Sequence, residues 1–158
     1  MIKMILLSSC IAGLVAHVVM PDKYQKYIRK HGHKAQMLQI THGIPPSIQI
    51  AQAIYESGAG SSNIAKQSNN HFGIRCGDGW DGERYESKSG CWRKYLNVGH
   101  SYLDHANYLA KYYPDACFKD WKHWVKHCKG YGGAGYWKKI GRIIRIYKLY
   151  ELDFEFIR

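Results

Sequence analysis

The chain reads as a mainly α domain of the α+β class, with two lobes around one cleft, and three observations predict it. Apolar residues recur at helical spacing over most of residues 24–149. One interior stretch, 77–95, abandons that spacing for glycines, turn formers and alternating aromatics, the pattern of a hairpin. The 158 residues are enough for one buried core and too few for a second. Helices on both sides of a single short hairpin leave that hairpin as a small β lobe beside a helical one.

Each element has its own local reason. Pro21 and Asp22 open the first helical unit, where Tyr24, Tyr27 and Ile28, then Met37, Leu38 and Ile40, predict one or two helices up to about His42. Gly43 ends that unit as a C-cap, and Pro45 with Pro46 gives a rigid start to the next. There Ile48, Ile50, Ala51, Ala53, Ile54 and Tyr55 cover most of the circumference, while Gln49, Gln52 and Glu56 fall on one stripe at i, i+3 and i+7. Buried amides and carboxyls need hydrogen-bond partners, so the stripe is expected to face a wet cleft. Gly58 and Gly60 strip side chains from the turn directly after Glu56, which leaves room for a ligand. A short helix at 61–67 leads to Asn69 and Asn70 and then to the β lobe. Beyond it, Tyr102, Leu103, Ala106, Leu109 and Ala110 form one helix face, and Phe118, Trp121, Trp124 and Val125 continue the helical pattern. A Gly-rich turn at 130–135 precedes a last helix with Ile140, Ile143, Ile144, Tyr147 and Leu149.

Residues 1–20 stand apart from the domain at 21–158. The run 4–20 carries no charge, follows Lys3 and stops at Pro21, which reads as an export signal or a membrane anchor, or else as a buried first helix. The net charge of 23 − 12 = +11 points to a polyanionic partner: nucleic acid, anionic lipid or the bacterial envelope. A solvated basic surface is the plainer explanation. The basic residues are scattered and no nucleic-acid-binding motif accompanies them. Five cysteines show no C-x-x-C pairing, so no metal site is expected. Cys76 and Cys91 bracket the Gly-rich, aromatic segment and are expected to meet across its base in an oxidising compartment. Cys117 and Cys128 pair in the same way or stay as buried thiols.

Glu56 is the residue with the clearest chemistry. A carboxyl at the rim of an apolar helix, shielded from water, favours its neutral form and holds a proton toward neutral pH. Glycoside hydrolysis needs such an acid and a second group that stabilises or attacks the cationic sugar or activates water. Glu83 and Glu86 offer that second carboxylate, with Asp78 and Asp81 as weaker options. Strand alternation places Glu86 on the face opposite Glu83 and Tyr85, and spacing alone does not choose between the two glutamates. Trp80, Tyr85, Trp92 and Tyr95 lie near these acids, with flat rings that stack on sugar faces, stack on bases, or simply pack.

The segments AQAIYESGAGSSNIA and NNHFGIRC together resemble the glucosaminidase family of cell-wall hydrolases, glycoside hydrolase family 73. The similarity runs over about residues 24–153 and continues in CWRKYLNVGHSYLDHANYL and the last helix. It implies a lysozyme-like domain that cleaves the β-1,4 bond after N-acetylglucosamine in peptidoglycan, without metal or organic cofactor. Glu56 matches the family's catalytic glutamate. Gln52, Ser57, Asn70, Phe72 and Gly73 match positions that line or brace the cleft, and Tyr136 in YGGAGYWKKI matches the tyrosine before the final helix, ahead of Tyr131. Glu86 matches the second acid by its distance from Cys91 and Trp92, with Trp80 and Tyr85 as further substrate contacts. The implied partners are peptidoglycan strands and the anionic envelope, with membrane association through the N-terminal segment and no nucleic acid. The implied location is the cell envelope or the exterior, for a bacterial or phage-encoded enzyme. Two other readings stand beside it. A lysozyme or lytic transglycosylase would cut after N-acetylmuramic acid, and a non-catalytic basic module would bind envelope or nucleic acid.

Overall fold

The computed structural model of the protein describes residues 22–155, so the uncharged run at 4–20 and Cys10 lie outside the described residues. Helix α1 (Asp22–His42) is one continuous helix of 21 residues where the spacing allowed one or two. Gly43, at φ 68°, closes it, with its N–H bonded to the Gln39 carbonyl at 2.9 Å. Helix α2 (Pro46–Ser57) begins at Pro45 and Pro46 as expected and runs through the middle of the helical lobe. Ile48, Ile50, Ala51, Ala53 and Ile54 are buried on it, and each fully buried isoleucine contributes about 1.5–3 kcal/mol over exposure.

Two details of α2 differ from the sequence expectation. Tyr55 is 40% exposed, and its hydroxyl accepts a hydrogen bond from Lys139 Nζ at 3.0 Å. The polar stripe is dry for most of its length: Gln49 and Gln52 are wholly buried, and only Glu56 reaches solvent. The C-terminal segment seals the other end of α2. Asp153 accepts from Ser47 N at 2.8 Å and from Ser47 Oγ at 2.6 Å, giving the first turn the carboxylate that Pro45 cannot supply. Gln39 holds the same segment by a two-way pair with the Phe154 backbone, both bonds at 2.8 Å.

Helix α3 (Asn63–Ser68) is capped by Ser62, whose hydroxyl accepts from Ala65 N at 3.2 Å. The β lobe is one antiparallel hairpin, β1 (Arg84–Ser87) with β2 (Gly90–Arg93), in the register Tyr85 to Trp92 and Glu86 to Cys91. Cys76 and Cys91 form the expected disulfide, at a Cα–Cα distance of 5.6 Å. Its place differs from expectation: Cys91 sits inside β2, so the bond ties the hairpin to the segment leading into the lobe instead of closing the hairpin's own base.

Asn97 caps α4 (Val98–Tyr112), whose inward residues are Ser101, Tyr102, His105, Ala106 and Leu109, while Leu103 is 41% exposed. A 3-10 turn (Pro114–Ala116) and the seven-residue α5 (Trp121–His127) follow, with Trp124 buried and Phe118 55% exposed. Cys117 and Cys128 are free thiols. Helix α6 (Tyr136–Ile146) ends short of Leu149, which begins a second 3-10 turn (Leu149–Leu152) packed on α2. Among the described residues, no helix is long and apolar enough to cross a membrane.

Candidate active site

Glu56 occupies the last turn of α2, and the chain leaves that helix through three successive residues in the left-handed region: Gly58 (φ 60°), Ala59 (φ 60°) and Gly60 (φ 75°). Two of the three are glycine, for which this conformation carries no steric cost. Ser57, 2% exposed, fastens the turn: its Oγ donates to the Ala53 carbonyl at 2.6 Å and accepts from Gly60 N at 2.8 Å. The carboxylate is thus fixed at the point where helix gives way to a braced loop.

A chain of donors reaches Glu56 from the core. Gln52 lies one turn earlier on α2, and its Nε2 donates to the Tyr136 hydroxyl at 3.1 Å. Tyr136, 6% exposed at the start of α6, in turn presents its hydroxyl to the Glu56 side chain, near enough that each shifts the other's pKa. With its oxygen already accepting from Gln52, the phenol has its proton free for the carboxylate. Surrounding protein raises the Glu56 carboxyl above the ordinary glutamate value, while the Tyr136 hydrogen bond pulls the other way. Glu56 keeps solvent access, so the effect is crowding by protein and not the full shielding that the sequence suggested. Tyr136 and Tyr131 are both raised, chiefly by burial, with the negative charge of Glu56 a lesser cause in each.

Tyr131 connects Glu56 to a cleft of about 250 Å³ between the two lobes, slightly below the ~300–1,000 Å³ usual for small-molecule sites. Phe72, Gly73 and Arg75 form its β-lobe side, His105 and Tyr108 of α4 the opposite side, and the turn around Tyr131 its end. Phe72 stacks on His105, with ring centroids 3.8 Å apart, and His105 Nε2 meets the Tyr131 hydroxyl at 3.2 Å. Burial holds the His105 pKa down to about 3, so this ring is neutral at neutral pH.

The structure brings Glu56, Gln52 and Tyr136 together and sets Phe72 and Gly73 along the adjoining cleft. Asn70 is 1% exposed, and its amide is used on the backbone: Nδ2 donates to the Ile74 and Arg93 carbonyls at 2.8 and 2.9 Å, and Oδ1 accepts from Ile74 N at 3.0 Å. Asn70, like Ser57, shapes the cleft from behind. Among the described residues, no hydrogen bond, ion pair or ring contact joins Trp80, Tyr85 or Glu86 to this group. Trp80 folds back on its own lobe, donating from Nε1 to the Glu83 carbonyl at 2.9 Å beneath the Arg93 guanidinium, 4.7 Å from the ring centroid. Glu83 is 73% exposed at its side chain and pairs with Lys94 at 2.7 Å. Glu86 is exposed on β1 opposite Cys91, with no ion pair or hydrogen bond from its side chain among the described residues.

Sequence reasoning missed Arg75, His105, Tyr108 and the tether of the β lobe. Asp104 accepts from Arg93 Nη1 with both carboxylate oxygens, at 3.1 and 2.9 Å, and from the Tyr95 hydroxyl at 2.6 Å, pinning β2 to α4. His105 was detectable, since it falls on the inward face set by Tyr102, Ala106 and Leu109. Asp104 was not, because one acid on a helix carries no sign of a distant arginine. Among the described residues, no group of three or more His, Cys, Asp or Glu is placed to hold a metal ion.

Comparison with known proteins decides the family. The model of the glucosaminidase family, described as mannosyl-glycoprotein endo-beta-N-acetylglucosaminidase, matches residues 32–149. The chain belongs to the glucosaminidase family. That stretch runs from the middle of α1 to the start of the second 3-10 turn and includes every residue of the Glu56 group and of the β lobe. Among curated proteins, the exo-glucosaminidase LytG of Bacillus subtilis is 43% identical over 54 residues. That match takes in 34% of this chain and 19% of LytG, so the chain spans about a fifth of that relative. Among solved structures, the catalytic domain of the autolysin Auto from Listeria monocytogenes superposes with a TM-score of 0.72 at 25% identity, covering 87% of this chain and 92% of that one. A peptidoglycan hydrolase from Sphingomonas sp. A1 gives 0.68 at 22%, covering 85% and 97%. The glycoside hydrolase domain of Salmonella typhimurium FlgJ gives 0.67 at 20%, covering 79% and 88%, and these last two establish the shared fold. The lysozyme-like, two-lobed glucosaminidase fold expected from the sequence is the fold observed.

Proposed function

We propose that this glucosaminidase-family chain is a peptidoglycan hydrolase that cleaves the β-1,4 bond after N-acetylglucosamine, with Glu56 as its general acid. The observation that carries the proposal is the donor chain from Gln52 through Tyr136 toward a carboxyl whose pKa is raised, with the interlobe cleft adjoining through Tyr131, whose ring centroid lies 5.2 Å from that of Tyr136. Glu56 gives its proton to the glycosidic oxygen as the bond from that oxygen to the anomeric carbon breaks. Positive charge then develops on the sugar ring, and water completes the exchange by adding to the anomeric carbon and returning a proton. As Glu56 becomes negative it gains from the Tyr136 hydroxyl, so that hydrogen bond strengthens as the proton leaves.

Glu86 is the second carboxylate of this proposal. Of the two β-lobe glutamates, Glu83 is engaged by Lys94, whereas the Glu86 side chain is uncommitted among the described residues. Trp80 and Tyr85 on the same lobe supply ring surface for the glycan, and Gly73 keeps the cleft wall low. The site of action is the cell envelope, for which a charge of +11 suits an anionic wall.

Mass spectrometry of fragments released from purified walls tests the bond assignment. Reducing N-acetylglucosamine ends are expected; reducing or anhydro muramic ends would reject it in favour of a lysozyme or lytic transglycosylase. The similarity to LytG, an exo-glucosaminidase, motivates a second reading in which the chain trims glycan ends. A rapid fall in strand length marks internal cleavage, and steady release of small fragments from long strands marks the exo mode.

A further inference from the structure

Two arginines of the β lobe use the same side chain differently. Arg93 is engaged inside the protein: Nη1 meets both carboxylate oxygens of Asp104, at 3.1 and 2.9 Å, and Nε donates to the Arg75 carbonyl at 3.1 Å. Arg75 is exposed, lines the interlobe cleft and has no acidic partner among the described residues. Its guanidinium carbon lies 3.6 Å from the centroid of the Trp92 ring, and Nη1 donates to the Ser89 carbonyl.

These contacts hold the Arg75 group without neutralising it. Stacking on Trp92 fixes the plane of the guanidinium, and the Ser89 carbonyl takes a single N–H, which leaves Nε and Nη2 without a hydrogen bond among the described residues. The backbone is fixed as well, because Arg75 bridges Trp92 of β2 and the adjacent Cys76 is bonded to Cys91. Gly90, at φ 118°, keeps the space clear, since a Cβ there would collide with Arg75 Nη1. The rest of the cleft wall carries no competing charge. Phe72 and Gly73 are apolar, Tyr108 and Tyr131 present phenols, and burial keeps His105 neutral. Arg75 is thus the one charged side chain among the described residues that line the cleft.

We propose that Arg75 binds a carboxylate carried by the muramic acid sugar of the glycan strand, and so makes the cleft select wall glycan over neutral N-acetylglucosamine polymers. The inference rests on the peptidoglycan reading of the cleft. A held, unpaired guanidinium in an otherwise uncharged wall matches one carboxylate, which its planar fork takes through two parallel hydrogen bonds. N-acetylmuramic acid differs from N-acetylglucosamine by a lactyl ether that ends in a carboxyl group. Where a stem peptide is attached, that carboxyl is an amide and the carboxylates of the stem remain. Where the stem is gone, the lactyl carboxylate is free, and either source meets the same fork.

Isothermal titration of the Glu56→Gln protein, in which cleavage does not deplete the ligand, tests this with three preparations of wall glycan of equal length. One keeps its stem peptides, one has them removed, and one is stripped with its lactyl carboxylates converted to carboxamides of nearly the same shape. At least one carboxylated form is expected to bind roughly tenfold more tightly than the carboxamide form, and the form that does so identifies the source as lactyl group or stem. Equal affinity for all three overturns the proposal with Arg75 untouched. The advantage is expected to vanish when Arg75→Gln is added and to shrink with Arg75→Lys, which keeps the charge without the fork; an undiminished advantage in either variant overturns the proposal. Lys88→Gln removes a charge from the exposed hairpin turn and is expected to leave the advantage intact. Equal loss from Lys88→Gln and Arg75→Gln would mean diffuse attraction to a basic lobe and would also overturn it. Fragment release by the parent protein separates the two readings: no release with an Arg75-dependent advantage rejects the hydrolase and keeps the carboxylate site, whereas release without that advantage rejects this inference alone.

Discussion

The helical lobe and the β lobe hold their carboxylates by opposite means. Glu56 sits at the end of a helix whose other side chains are almost all buried, and its neighbours Gln52, Ser57 and Tyr136 are locked by hydrogen bonds within the core. Glu86 sits on a four-residue strand in a two-stranded hairpin, a unit too small to be stable alone. That hairpin depends on three tethers: the Cys76–Cys91 disulfide, the bonds of Asp104 to Arg93 and Tyr95, and the Asn70 amide. The difference teaches that a helix packed and hydrogen-bonded into the core aims Glu56, whereas the β lobe, with little core of its own, is positioned by a few discrete bonds.

Removing those bonds breaks the comparison most severely. Reduction of Cys76–Cys91, which closes a separation of 15 residues, is expected to remove about 3 kcal/mol. Hydrogen exchange of the 84–93 amides should accelerate far more than that of α2. Equal acceleration in both lobes would show that they do not differ as argued. Asp104→Asn comes next. It removes the charge that faces Arg93 across a half-buried pair, and the expected loss is about 1 kcal/mol, with hydrolysis weakened mainly through KM. A change confined to kcat would place Asp104 in the chemistry and not in the tether.

The smallest of these effects concerns the helical lobe and is read in pH. Because a general acid works while protonated, activity falls as pH rises through the Glu56 pKa, and a raised pKa puts that limb above the ordinary glutamate value of about 4.3. The Tyr136 hydrogen bond lowers that pKa, so Tyr136→Phe should move the alkaline limb further up while reducing the maximal rate. A limb that stays in place in the variant would detach Tyr136 from Glu56.

Much of the helical lobe was legible in the sequence, because proline, glycine and apolar spacing are local signals. Gly43 closes α1, and Pro45, Pro46 and Gly58 bound α2, where the sequence put those limits, and Cys76 met Cys91. Periodicity failed for the amides of α2: Gln49 and Gln52 are both buried, and among the described residues the Gln49 side chain has no hydrogen-bond partner at all. Gln52 lies in the dry core because Tyr136, 84 residues later, accepts from it, and no spacing rule reports that pairing. Tyr55 went to the surface for the converse reason, since its hydroxyl has Lys139 there. The β-lobe tether and the Asp153 cap on α2 are contacts between distant segments, which one sequence does not display.

The role of Glu56 as proton donor is tested most directly by the rate of wall hydrolysis after Glu56→Gln. The amide keeps the size of the side chain and still accepts from Tyr136, but it has no titrating proton. With the fold intact by circular dichroism, a loss on the order of a hundredfold or more is expected. Clearance of purified walls at the parent rate would contradict it.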